Sequence, residues 1–175
     1  VMSMFGEHEI PIVDDAANPV AVGQIGEVAV KGPHVMKGYL NNPAATAQTI
    51  KDGWLLTGDM GVMDGDGYLK IVDRKKEMII VRGMNVYPKE VEDVLLAHPA
   101  VANAAVIGKP DGHRGEAPMA AVILKPGASV TAKELLKYCQ ERLADYKLPR
   151  KVLFVENFPR TATGKVLKRE MVTLF

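Results

Sequence analysis

The feature that most constrains this chain is a change of texture at Asp73-Arg74, within the charged run Asp-Arg-Lys-Lys-Glu. Before it, short apolar runs alternate with turn residues. Residues 9–13 (Glu-Ile-Pro-Ile-Val) and 25–31 (Ile-Gly-Glu-Val-Ala-Val-Lys) read as strands bounded by Asp, Asn, Pro and Gly. Asn42-Pro43 predicts a short helix with proline at its first position. Asp64-Gly65-Asp66-Gly67 between apolar runs predicts a hairpin over 54–72. This β-rich stretch is too short to close a core of its own.

After Asp73, strands and helices interleave. Residues 78–82 form an apolar strand, and Pro88–Ala97 an amphipathic helix with Val91, Val94 and Leu95 on one face. Val101–Ile107 and Met119–Leu124 are strands. Thr131-x-x-Glu134 is a capping box that opens a helix through about Leu143. Residues 151–155 are a further strand, and a short basic helix follows Gly164. The expected fold class is therefore α+β: a small lobe over 74–175, with a short sheet packed by helices, preceded by a β-rich tail over 1–73.

Charge divides at the same place. Residues 1–73 hold four Lys/Arg and ten Asp/Glu, whereas 74–175 hold eighteen and eleven, so −6 and +7 make the net +1. So balanced a total excludes a dedicated nucleic-acid binder. The basic half suits a polyanion such as ATP or coenzyme A, or it is a solvated basic face. One cysteine, Cys139, excludes an internal disulfide framework and points to a reducing, cytoplasmic setting. No apolar run approaches the roughly 20 residues that span a bilayer, and Val1–Phe5 does not open a signal peptide. The chain starts with valine, so we expect a piece of a longer protein.

Three short segments could carry chemistry. In Thr161-Ala162-Thr163-Gly164-Lys165, the Gly-Lys pair suggests a phosphate loop, but that pattern needs glycine where Pro159 stands and Ser or Thr where Val166 stands. What remains is a lysine on a Gly/Thr turn, able to carry an ammonium to a developing negative charge, or else a surface lysine at a helix start. The helix-start placement would oppose the helix dipole. Thr57-Gly58-Asp59 offers a carboxylate for paired hydroxyls, or a turn-forming aspartate. Arg82-Gly83-Met84-Asn85 offers close backbone approach and a phosphate contact, or a tight turn. His8, His34, His98 and His113 show no metal-ligand spacing, so no bound metal is expected.

Singly these signals are weak, but their order is informative. Gly-Trp-Leu-Leu-Thr-Gly-Asp (53–59), Gly-Tyr-Leu-Lys-Ile-Val-Asp-Arg-Lys-Lys-Glu (67–77), Gly-Met-Asn-Val-Tyr-Pro-Lys-Glu-Val-Glu (83–92) and Pro-Arg-Thr-Ala-Thr-Gly-Lys (159–165) occur in series. Gly-Glu-Val-Ala-Val-Lys-Gly-Pro (26–33) and Gly108-Lys109-Pro110-Asp111 fit the same pattern. The series resembles the C-terminal part of the acyl-CoA synthetases of the adenylate-forming (AMP-binding) superfamily, with a fatty acyl leaning.

The resemblance implies that residues 1–73 end a large AMP-binding domain and that 74–175 are its mobile lobe. It implies Asp59 and Arg74 at the adenylate ribose, Asp73 as hinge, and Lys165 as the catalytic lysine of adenylation. Arg82, Gly83 and Asn85 would face coenzyme A. ATP with magnesium, a carboxylic acid and coenzyme A would be the substrates, and the parent could associate with a membrane surface. The family's Ser/Thr/Gly-rich phosphate loop, its Tyr-Gly-x-Thr-Glu segment and its acyl pocket are not in this sequence. The chain alone is thus expected to be inactive without an N-terminal domain in cis. Two alternatives remain: an adenylation domain that loads a carrier protein, and a non-catalytic interaction domain.

Overall fold

A computed structural model describes residues 9–112 and 115–175. His8, His113 and the Val1–Phe5 stretch lie outside the described residues. The chain divides into two compact units, one ending at Lys76 and the other running Glu77–Phe175. The division falls three residues beyond the expected Asp73-Arg74 boundary. The reason is pairing: Asp73 and Arg74 end a strand whose partners, Met60 and Asp59, belong to the first unit.

In the first unit the described elements are β1 (Ile12–Val13), β2 (Ile25–Val30), α1 (Pro43–Thr49), β3 (Ile50–Lys51), β4 (Trp54–Met63) and β5 (Leu69–Arg74). All strands pair antiparallel, and β4 is the spine. Its one edge takes β2, while the other takes first β3 and then β5. The Asp64–Gly67 turn joins β4 to β5, with the Asp64 carboxylate accepting from the backbone N–H groups of Asp66 and Tyr68. Asn42 caps α1 by accepting from the N–H of Ala45 at 3.0 Å. Gly26 is required where β1 crosses β2, since a Cβ there would lie 2.4 Å from the carbonyl oxygen of Val13.

The second unit is α+β, as expected. It opens with a two-stranded hairpin, β6 (Ile79–Val81) and β7 (Met84–Val86), followed by α2 (Pro88–Leu96). A three-stranded sheet follows, built from β8 (Val101–Pro110), β9 (Glu116–Leu124) and β10 (Lys151–Phe154). The central β9 is antiparallel to β8 and parallel to β10. The crossover to β10 carries α3 (Ala132–Gln140), and α4 (Lys168–Met171) comes last.

Period-two alternation gives this sheet two apolar faces. Ala104, Val106, Ala120 and Val122 pack with Val91 and Leu95 of α2 and with Leu135 and Cys139 of α3. Ala105, Ile107 and Ala121 point the other way, onto Phe158 and Met171. The capping box forms as expected, with Thr131 accepting from the Glu134 N–H and Glu134 from the Thr131 N–H. α3 ends at Gln140, short of Leu143, and beyond it the Arg142 N–H reaches back only three residues to the Cys139 carbonyl in a tighter closing turn.

Candidate functional site

In the first unit, Thr57, Gly58 and Asp59 lie where β4 bulges away from β2. Register is kept at Glu27–Met60 and at Ala29–Leu56, so three residues of β4 face Val28 alone. Gly58 takes φ +73°, a conformation that strains any side chain. The bulge is fixed from below. The Thr57 hydroxyl donates to the Val28 carbonyl at 2.8 Å and accepts from the Asp59 N–H at 3.1 Å.

Glu27, only 6% exposed, accepts from the Gly58 N–H and from the Lys75 ammonium, both at 2.9 Å. Lys75 also meets Asp15 at 2.8 Å. Its pKa is raised, chiefly by the bond to Asp15 and further by Glu27, against the pull of partial burial. Across the β4–β5 ladder, Arg74 Nε stands 2.6 Å from Asp59 Oδ1. Thr57, Gly58, Arg74, Lys75 and Lys76 line an open cleft of about 430 Å³. A carboxylate braced on a guanidinium at such an edge has an oxygen to spare for a ligand hydroxyl. Asp73 is partly buried in β5, beside this pair.

In the second unit, Arg82 and Gly83 form the two-residue loop between β6 and β7, with φ +51° and +79°. The tight-turn reading of this segment therefore holds locally, and Arg82, Gly83 and Asn85 are all exposed.

Lys165 sits on a separate hairpin. The Leu167 N–H donates to the Pro159 carbonyl at 2.8 Å, Arg160 bridges Val166, and the Thr161 N–H donates to the Lys165 carbonyl at 2.8 Å. Gly164, at φ +84°, turns the chain, and its carbonyl accepts from Arg160 Nη1 at 2.8 Å. Lys165 is exposed, and no ion pair engages it among the described residues. It does not start a helix, because α4 begins only at Lys168. The ladder at Arg160–Val166 keeps residue 165 in the turn, so the expected conflict with a helix dipole does not arise.

Residues 90–165 match the family model of the AMP-binding enzyme C-terminal domain. Residues 90–165 are thus similar to the C-terminal domain of AMP-binding enzymes. The chain is 50% identical over 163 residues to the long-chain-fatty-acid–CoA ligase of Salmonella typhimurium, covering 93% of this chain and 29% of that one. The o-succinylbenzoate CoA synthetase of Bacillus subtilis, solved with its acyl-adenylate OSB-AMP, aligns at TM-score 0.86 and 44% identity, over 94% of this chain and 34% of that one. The amide bond synthetase of Marinactinospora thermotolerans aligns at TM-score 0.91 and 43% identity, over 97% and 35%. The chain thus spans about a third of the length of the relatives it matches.

Sequence reasoning singled out candidate residues but not the residues that hold them in place. Glu27 went unremarked inside Gly-Glu-Val-Ala-Val-Lys, although a carboxylate within an otherwise apolar strand is itself a signal. Cys139 is no candidate nucleophile, since burial pushes its thiol up to about 11. Among the described residues no three His, Cys, Asp or Glu are grouped to hold a metal ion, and no helix is long and apolar enough to cross a membrane.

Proposed function

We propose that the chain is the C-terminal part of an ATP-dependent carboxylate–CoA ligase, with a fatty acid as the favoured carboxylate. On this reading residues 1–73 end its AMP-binding domain, residues 74–175 are the mobile lobe, and Asp73 is the hinge. The observation that carries it is Lys165, an ammonium without an ion-pair partner among the described residues, held out on a closed hairpin. In the first half-reaction a carboxylate oxygen attacks the α-phosphorus of ATP and pyrophosphate leaves. Two anions must meet, and Lys165 offsets the charge that builds between them. Asp59, braced by Arg74, would accept the ribose hydroxyls of the adenylate. In the second half-reaction the thiol sulfur of coenzyme A bonds to the acyl carbon as AMP leaves. Arg82, Gly83 and Asn85 would face that acceptor.

Magnesium would screen the triphosphate of ATP, and a structure of the Bacillus subtilis synthetase holds ATP with a magnesium ion. The residues described offer no grouping for that ion, and no step here runs through it. We place the parent in the cytoplasm, where a fatty substrate would draw it to membrane surfaces. The likeness to an amide bond synthetase supports a second acceptor class, an amine in place of the thiol. A carrier-protein thiol is a third.

The test is carboxylate-dependent exchange of pyrophosphate into ATP by the full-length protein. Transfer from the isolated acyl-adenylate to coenzyme A, amines or carrier protein is then compared. Exchange followed by transfer to coenzyme A is expected. No exchange with fatty or aryl acids would leave a non-catalytic interaction domain as the reading.

A further inference from the structure

The hairpin that bears Lys165 closes on itself, so something outside it must decide where it projects. Its return leg runs through Leu167 directly into α4, a single turn of helix. One turn has no stability of its own and stands only through side-chain contacts. Met171 supplies an apolar contact, fully buried with Phe158 against β8 and β9. The polar contact is Lys168. Its ammonium lies 2.9 Å from Glu92 of α2 and 3.0 Å from Glu77, and its side chain is only 22% exposed.

Glu92 has a second task. Val106 lies on β8, an edge strand, where its N–H faces no neighbouring strand. The Glu92 carboxylate, 8% exposed, accepts from that N–H at 2.8 Å. One buried carboxylate therefore ties the sheet edge, α2 and α4 together. The attraction of Glu92 and Glu77 outweighs burial and raises the Lys168 pKa, so the ammonium persists where desolvation alone would disfavour it. Lys89, paired with Asp93 at 2.6 Å, is the other cation that senses this cluster.

The geometry points to Lys168 as a positioning residue for Lys165: seated on Glu92 and Glu77, it sets the direction in which the 159–167 hairpin presents its lysine. This rests on the ligase reading for its kinetic consequence, but not for its structural one. Lys168→Met keeps the stem and removes the charge, leaving Glu92 without its cation. Lys168→Arg retains a cation that can reach both carboxylates. Glu92→Gln with Lys168→Met keeps an acceptor for the Val106 N–H and strands no buried charge, which guards against simple unfolding.

On the 175-residue chain, amide hydrogen exchange is measured over residues 159–167 and over β8 and β9. Lys168→Met and the double variant should speed exchange in the hairpin by at least tenfold while β9 stays protected, and Lys168→Arg should restore slow exchange. In the full-length protein, Lys168→Met should lower kcat of adenylate formation toward the about 10²-fold loss that follows a displacement of roughly 1 Å. The KM for ATP should be unchanged, and thioester formation from preformed acyl-adenylate should stay within about twofold. Hairpin exchange unchanged in both Met variants would overturn the proposal. So would equal losses in the two half-reactions, or failure of Lys168→Arg to rescue. If the parent itself shows no carboxylate-dependent exchange, the ligase reading fails, and the hydrogen-exchange arm still decides the anchoring role.

Discussion

The cleft at Thr57–Asp59 and the hairpin at Lys165 are built on opposite plans. At the cleft, the lining guanidinium of Arg74 answers the Asp59 carboxylate at 2.6 Å across a strand ladder, over a bulge fixed by buried Glu27. On the hairpin, local hydrogen bonds hold the backbone while the ammonium at its tip has no ion-pair partner among the described residues. A paired charge suits recognition of a neutral hydroxyl. An unpaired one suits a charge that exists only during the reaction.

The largest expected effect follows from that contrast. In the full-length protein, Lys165→Ala should cut adenylate formation by about 10²–10³-fold, as expected for losing one electrostatic stabiliser. Thioester formation from preformed acyl-adenylate should persist near the parent rate. Asp59→Ala should impair both steps, because the adenylate must be held in each. Melting curves of the 175-residue variants complete the comparison. Lys165→Ala should leave Tm unchanged, and Asp59→Ala should cost no more than the about 0–1 kcal/mol of an exposed ion pair. Equal losses in the two half-reactions for Lys165→Ala, or a drop in its Tm, would break the comparison.

The next effect is structural and confined to the cleft. Glu27→Ala leaves the Gly58 N–H without its acceptor and Lys75 with Asp15 alone. Stranding a buried donor costs about 1–3 kcal/mol. Glu27→Gln should cost less, since its amide oxygen still accepts from the Gly58 N–H and no buried charge is stranded. Chemical denaturation of the two variants ranks them, and the reverse order would show that the charge pair, not the bulge, is what Glu27 supports.

Why sequence reading saw Asp59 and Lys165 but not Glu27 and Lys168 has a physical answer. The β4–β5 hairpin was legible because Asp-Gly-Asp-Gly specifies its own turn, and the Thr131 cap because its partner lies three residues away. Glu27 works across 31 residues of chain to Gly58, and Lys168 acts on residues brought near by the fold of β8 and α2. Such partners depend on register, which no local pattern states. Two-residue β3 escaped for a related reason: it is a strand only because β4 lies beside it. For Lys165 the motif left a turn and a helix start both open, because the Arg160–Val166 bridge that delays α4 and decides for the turn is likewise a pairing.

The smallest effect concerns Arg82, an exposed cation at the β6–β7 hairpin tip. Arg82 and Gly83 both have positive φ, the conformation of a type I′ turn, where Asn-Gly is the favoured pair. An arginine held left-handed costs roughly 1 kcal/mol, so the fold carries strain where a more relaxed residue would serve the turn. Strain of this kind persists where the side chain is wanted for another purpose. Arg82→Asn separates the two roles. The 175-residue chain should gain up to about 1 kcal/mol in denaturant titration, since asparagine tolerates this conformation at less cost. In the full-length protein the same substitution should raise the KM for coenzyme A and leave adenylate formation alone, because a phosphate contact would be lost from the second step only. A gain in stability with an unchanged KM would make Arg82 a strained turn residue and nothing more, and the proposed reactive charge would rest with Lys165.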